Sequence, residues 1–340
     1  MSVKVKFWGV RGSVPSPITA DVVEKKVRNA LKLYAERADT SLDSPAEIID
    51  AVIADLKRQQ PFTYGGNTSC VEVRDGKNTF ILDMGTGLRP FGDSLFPEIS
   101  KNKGISVHFI TSHVHWDHIQ GLPFFGPLYQ NKETGILNTW FFLGGTRWQK
   151  TAIECLRGQM DPPTFPVEWG EIKTLTHRIA YRGVHNGLVF PVSDGPTLTF
   201  RKLSHPQETY GVRFEFPGGP VIVYATDNEP NDPREPEPNL LTLAKDADVL
   251  IIDCQYTRGQ YSGLPAEGGV SRRNWGHSYP EAVAETALQA KAKHVVLFHH
   301  DPASSDEKIT EMRAHTEKLI RDGGGTQQVT AAWEGLELTV

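Results

Sequence analysis

The segment ISVHFITSHVHWDHIQG, residues 105–121, runs a short apolar strand directly into three histidines and an aspartate within six positions, His113 to His118. A strand end is rigid on one side and open on the other, which suits a site that must be both fixed and reachable. Neutral imidazole is the commonest metal ligand, and a carboxylate is its usual hard partner in a mixed nitrogen and oxygen set. His113 and His115, two positions apart, can reach one ion, and Asp117 with His118 can reach a second. An isolated histidine is more often a capping or surface group, but the density of HxHxDH outweighs that alternative. One loop cannot complete two coordination shells. The chain therefore has to bring further ligands to the same place, preferably from other strand ends.

Three positions meet that demand. His205 in KLSHPQ follows the strand-like LTFRKL, Asp227 in VIVYATDNE follows a continuous apolar run, and His299 in VVLFHHDP ends another. Each is weak alone, and their common place at the C-terminal tip of an apolar strand raises them together. His300, next to His299, is an open alternative.

The rest of the chain alternates strand and helix signals. VKVKFW reads as a strand that GVRGSVPSP breaks. Residues 18–62 read as a helical hairpin: Val22, Val23, Val27, Ala30, Leu31 and Tyr34 fall on one helical face, and Ser44 with Glu47 forms a capping box for a second helix. SCVEVRDGKNTFILD carries a β-hairpin signal about Asp75-Gly76. Strand-like runs recur at YGVRFEF, DVLIID and KHVVLFH, helical ones at PEAVAETALQAKA and Ser305 to Arg321, and residues 228–239 read as an exposed loop. No internal repeat or low-complexity tract interrupts them, so the pattern is that of an α/β chain, sheets with helices packed outside.

The motif HVHWDH with the later SHP, ATD and LFHH is similar to the metallo-β-lactamase fold superfamily of binuclear metallohydrolases. FWGVRGSVPSP, YGGNTSC and ILDMGTGLRP further resemble a bacterial branch related to the phosphoribosyl cyclic phosphodiesterases and the tRNA 3′-processing endonucleases of the RNase Z type. The likeness runs from Val3 to about Asp301. It implies an αββα sandwich, one domain over residues 1–340, with the 18–62 helical insertion as a departure from the family pattern. It also implies that His113, His115 and His205 bind one zinc, that Asp117, His118 and His299 bind a second, and that Asp227 bridges the two. His299 is preferred to His300 because the family's ligand directly follows the apolar run. Manganese and iron accept the same donors.

Two ions roughly 3.5–4 Å apart can share a water, lower its pKa and clamp the oxygens of a displacement, so hydrolysis is expected, with metal-bound hydroxide as the nucleophile. A phosphodiester adds a leaving alkoxide that wants a proton. The resemblance assigns that duty to His277 in NWGHSYPEA, as general acid or transition-state stabiliser, with Ser278 able to cap the helix that follows. Asp117 is expected to serve catalysis as well as metal binding. Arg272 and Arg273 offer charge for a phosphate, Asp83 is expected to organise the ligands from behind, and Tyr64 to Asn67 form a turn near the site. FGDSLF around Ser94 matches a serine esterase signature, but it sits mid-chain with no DxxH near the C-terminus, so Ser94 is not expected to be a nucleophile.

A formal charge of −5 leaves no general basic surface for nucleic acid. Expected instead is a small cyclic or linear phosphodiester, ahead of RNA 3′ processing, of a lactone or thioester, and of a non-catalytic metal-binding sensor. Cys70, Cys155 and Cys254 stand apart with no CxxC pair, and no stretch has the roughly 20 apolar residues that span a bilayer. A reduced, cytoplasmic protein without a membrane partner is expected, with a homo-oligomer left open.

Overall fold

The computed structural model describes residues 2–38, 44–59, 61–130, 136–147, 150–174, 178–232 and 234–340. The N-terminal half supplies strands β1 (Lys4–Gly9), β2 (Cys70–Arg74), β3 (Thr79–Leu82), β4 (Ser106–Thr111) and β5 (Thr139–Gly144), a small ribbon of β6 (Thr146–Arg147) and β7 (Lys150–Thr151), and β8 (Arg178–Gly183). The C-terminal half supplies β9 (Val189–Pro191), β10 (Thr197–Leu203), β11 (Thr209–Glu215), β12 (Val221–Ala225), β13 (Val249–Asp253), β14 (His294–Phe298), β15 (Gln328–Ala331) and β16 (Glu337–Thr339). Two seven-stranded sheets result, ordered β16-β1-β2-β3-β4-β5-β8 and β15-β14-β13-β12-β11-β10-β9.

Nine α-helices are described: α1 (Ala20–Ala38), α2 (Pro45–Gln59), α3 (Leu88–Asn102), α4 (Ala152–Gly158), α5 (Trp169–Thr174), α6 (Pro238–Ala244), α7 (Arg258–Ser262), α8 (Pro280–Ala290) and α9 (Asp306–Asp322). The layers follow from strand alternation. Phe80 and Leu82 of β3 join Phe200, Phe214, Ile251 and Phe298 in the core between the sheets, while Ile81 turns outward to Phe91, Leu95 and Ile99 of α3. Leu250, Ile252 and Leu297 turn the other way, onto Val283, Ala287, Ile309 and Ile320 of α8 and α9. Buried on both faces, these strands need continuous apolar sequence, and VLIID is buried at all five positions. Removing each such side chain from water contributes roughly 1.5–3 kcal/mol. The architecture is an αββα sandwich. No described helix is long and apolar enough to cross a membrane.

Topology gathers the chemically interesting strand ends. β12, β13, β14 and β15 are parallel, and β10 runs antiparallel to β11, which is antiparallel to β12. β10, β12, β13 and β14 therefore all finish on one edge. The end of β4 is brought there from the other sheet, where the Tyr210 amide donates to Ser112 O at 3.0 Å.

Two local readings are corrected. Ser278 does not cap α8: Tyr279 is the capping residue, without a side-chain bond, and the Ser278 amide is occupied by Asp253. The loop expected over residues 228–239 ends early, because Glu237 accepts from the Leu240 amide and starts α6 at Pro238. Ser94 lies on α3, its hydroxyl donating to Phe91 O at 2.6 Å, as a helical serine does.

Candidate metal centre

β4 delivers His113, and a single 3₁₀ turn, Trp116–His118, carries Asp117 and His118 back under it. Asp83, Asp227 and His299 each follow the end of an apolar strand with φ of 61°, 52° and 61°. The left-handed turn points each side chain off the strand tip, at a backbone cost of order 1–3 kcal/mol that the surrounding structure has to offset.

Three overlapping groups of donors result: His113, His115, His205 and Asp227; Asp117, His118 and His299; and Asp227 with Asp253, His277 and His299. In the first, His205 Nε2 stands 3.4 Å from His115 Nδ1, and Asp227 Oδ2 stands 3.6 Å from His113 Nε2, which is buried without a hydrogen-bond partner. In the second, Asp117 Oδ2 lies 3.2 Å from His118 Nε2 and 3.1 Å from His299 Nε2. Asp227 Oδ1 reaches the same two nitrogens at 3.4 Å each, so its two oxygens face the two groups.

The outward nitrogens fix the tautomers. His118 Nδ1 donates to Asp83 Oδ2 at 2.8 Å, and Asp83 also accepts from the Ser112 amide and hydroxyl and from Tyr224 Oη. His299 Nδ1 donates to Gln255 Oε1 at 3.0 Å, and His205 Nδ1 to Gly276 O at 3.2 Å. With those protons placed outward, the inner Nε2 atoms present lone pairs. A buried cluster of lone pairs and carboxylate oxygens is costly unless a cation is shared among them. The residues therefore fit a divalent metal site of nitrogen and oxygen donors, held from behind as such ligands usually are. Protonation tells the same story. Burial opposes charge on His299, but Asp227, Asp117 and Asp253 outweigh it and push its pKa up to about 10. Burial likewise opposes charge on His118, and Asp117, Asp227 and Asp83 raise its pKa well above the usual range.

His300 turns away, its Nε2 donating to Ala332 O at 2.9 Å. His277 lies at the rim with Nδ1 donating to Asp253 Oδ2 at 2.8 Å and standing 3.9 Å from Asp227 Oδ2. The Arg272 guanidinium stacks 4.7 Å over Tyr256, whose ring is 5.7 Å from that of His277, and its Nη1 is buried without a hydrogen bond. Arg273 instead lies over Tyr261. Tyr64 packs on His300 rather than among the donors.

Sequence reasoning missed three contributors. Asp253 ends VLIID as Asp227 follows VIVYA, so the strand-tip signal was there. It is fully buried and ties His277 to the Ser278 amide. Glu229 accepts from Tyr261 Oη at 2.8 Å, the Asn274 amide at 2.7 Å and the Gly276 amide at 2.8 Å, clamping the loop that carries His277. Ser13 donates its amide to Asp117 Oδ2 at 2.7 Å. Glu229 has no sequence signal, whereas Ser13 lies in the FWGVRGSVPSP segment that carries part of the resemblance.

Residues 78–300 match the family model described as the beta-lactamase superfamily domain. An uncharacterized protein of Mycobacterium leprae is 25% identical over 219 residues, 62% of this chain and 65% of that protein, so the chain spans just under two thirds of its length. Ribonuclease Z of Ligilactobacillus salivarius is 24% identical over 279 residues, 68% of this chain and 80% of the relative. Among solved structures, the metallo-β-lactamase fold protein YhfI of Bacillus subtilis superposes with TM-score 0.59 at 15% identity, covering 100% of this chain and 99% of that one. A diphosphatase of the PhnP family superposes with TM-score 0.58 at 16% identity, covering 99% and 97%. The paired sheets, the histidine-rich edge where their strands finish and the match over that same region agree: this chain belongs to the beta-lactamase superfamily and has the metallo-β-lactamase fold.

Proposed function

We propose that this protein is a binuclear metal-dependent phosphodiesterase acting on a small cyclic or linear phosphodiester. The observation that carries the reading is the Asp253 and His277 pair, 2.8 Å apart, set beside the two donor groups that the oxygens of Asp227 face. Divalent ions held by His113, His115, His205 and Asp227 and by Asp117, His118, His299 and Asp227, zinc first and manganese or iron otherwise, would lower the pKa of a water and neutralise charge on the phosphate.

The side chains supply the rest. Asp253 holds the His277 Nδ1 proton, which leaves Nε2, without a hydrogen-bond partner among the described residues, as the atom that carries a proton to the departing oxygen. Arg272, with its unpaired Nη1, is placed to bind a phosphate oxygen. The Ser13 amide keeps Asp117 Oδ2 aimed at the donors, so that Asp117 orients rather than drifts. A carbon ester hydrolase has no use for the Asp253 and His277 pair. RNA 3′ processing is the second reading, favoured by the relative named Ribonuclease Z and opposed by the net charge of −5. Cys70 and Cys254, buried and without a disulfide, support a reducing, cytoplasmic setting.

The test is a paired measurement on purified protein. About two divalent ions per chain are expected, together with turnover of bis(p-nitrophenyl) phosphate that His277→Ala abolishes without loss of metal. Protein that binds no metal, or a variant with full turnover, refutes the reading. Cyclic nucleotides, cyclic ribose phosphates, precursor tRNA and lactones then separate the substrate classes.

A further inference from the structure

The hairpin of α1 and α2 has no part in that chemistry, and its surface is unusual. α1 has no buried residue at all. It meets the body of the protein through ion pairs, Lys25 with Glu307 at 2.8 Å and Lys26 with Asp306 at 2.7 Å. Its other face carries Val23, Val27 and Leu31, the last 62% exposed, and α2 continues the patch with Ile49 and Ile53 up to Phe62. Between the helices runs a groove of about 420 Å³ whose lining residues, Leu31, Tyr34, Ile53 and Leu56 among them, are all apolar. An amphipathic helix has to bury its stripe against another element. Among the described residues, nothing covers this one.

We propose that this face is where two copies of the chain associate, their hairpins pairing about a two-fold axis into a four-helix layer. Two observations favour a second copy as the occupant. The exposed apolar residues offer on the order of 500 Å², toward the upper end of what a monomer leaves uncovered. With a polar rim this reaches the roughly 800 Å² that each partner contributes to a standard interface. Ridge and groove lie on one patch, as an isologous contact requires.

Light scattering on the purified full chain at micromolar concentration should return the mass of two chains. Leu31→Asp with Ile49→Asp should return the mass of one, with an unchanged circular dichroism spectrum. Because buried charge could instead unfold the hairpin, the milder Val27→Ala with Leu31→Ala provides a second arm: a dimer whose dissociation midpoint rises at least about tenfold. A wild-type chain that is monomeric throughout overturns the proposal, and if it then co-sediments with anionic phospholipid vesicles the face is a membrane surface. A dimer indifferent to both sets of substitutions overturns it too, since the contact then lies elsewhere.

Discussion

His118 and His299 point their Nε2 atoms at each other across 3.2 Å, each ring held by a partner on its far nitrogen. Two lone pairs at that distance repel, so a cation, proton or metal, has to lie among them and the nearby carboxylates. In the metal-free protein, and against burial, Asp227, Asp117 and Asp253 push the pKa of His299 up to about 10, and Asp117, Asp227 and Asp83 raise that of His118, so the pair holds a proton where a metal would sit. Metal binds the neutral rings. Loading at pH 7 should therefore release at least about one proton per chain, and apparent affinity should rise with pH up to about 10. Calorimetry in buffers of different ionisation enthalpy reads both quantities, and affinity independent of pH would contradict the assignment.

Removing the ions should also unfold the protein more easily. A ligand that binds only the folded state stabilises it by about 2.7 kcal/mol at a hundred times its Kd. A chelator should lower the melting temperature by several degrees, and zinc should restore it. An unchanged melting temperature would mean that the cluster is satisfied by protons alone.

Asp253 accepts the proton on His277 Nδ1. Asparagine at that position can offer an N–H instead, which favours the wrong imidazole tautomer, and in a comparable histidine and aspartate pair that exchange costs roughly 10⁴ in kcat. Asp253→Asn is expected to lose between about 10² and 10⁴ in kcat with KM little changed. Metal analysis beside the kinetics is needed, because Asp253 Oδ2 also stands 3.4 Å from His299 Nδ1. A variant with wild-type kcat would remove His277 from the proton-transfer role.

Glu229 reaches the same loop from the end of β12. Its carboxylate binds the amides of Asn274 and Gly276, and Gly276 O in turn receives His205 Nδ1. Glu229→Ala frees that loop, so the outer support of His205 and the position of His277 are lost together. Metal affinity of the three-histidine group should fall about 10–100-fold, as for other outer partners of metal-bound histidines. Glutamine should rescue only partly, since its amide nitrogen cannot accept from the Gly276 N–H. Equal metal affinity in all three forms, measured by competition with a chromophoric chelator, would make Glu229 a surface residue and no more.

Which parts of this were legible in the sequence follows from what each signal encodes. Strands buried on both faces read as apolar runs, so β12, β13 and β14 stood out, and their tips led to Asp227 and His299. Asp253, at the end of the equally apolar VLIID, carries the same strand-tip signal. β8 escaped notice because it is an edge strand exposed along most of its length, without alternation to mark it. The periodicity of residues 18–62 revealed two amphipathic helices but not what they pack against, since a stripe names no partner. Glu229 acts through three hydrogen bonds to residues 32 to 47 positions away, two of them to backbone amides, which leave no trace in composition or spacing.

Gly12 makes the most local test of the pocket. A Cβ built there would stand 2.5 Å from His299 Cε1 and 2.6 Å from its Nδ1, well inside any contact that real atoms show. The backbone of Gly12 does not need the left-handed region, so alanine strains nothing except that contact. His299 is boxed in by Gln255, Asp253 and Asp117 and has little room to retreat. Gly12→Ala should therefore push the imidazole off the second donor group while the His113, His115 and His205 group is untouched. The expected protein folds with a melting temperature within a few degrees of wild type in chelator, binds about one ion instead of about two, and loses most of its turnover. Retention of both ions would show that His299 is not needed to hold the second.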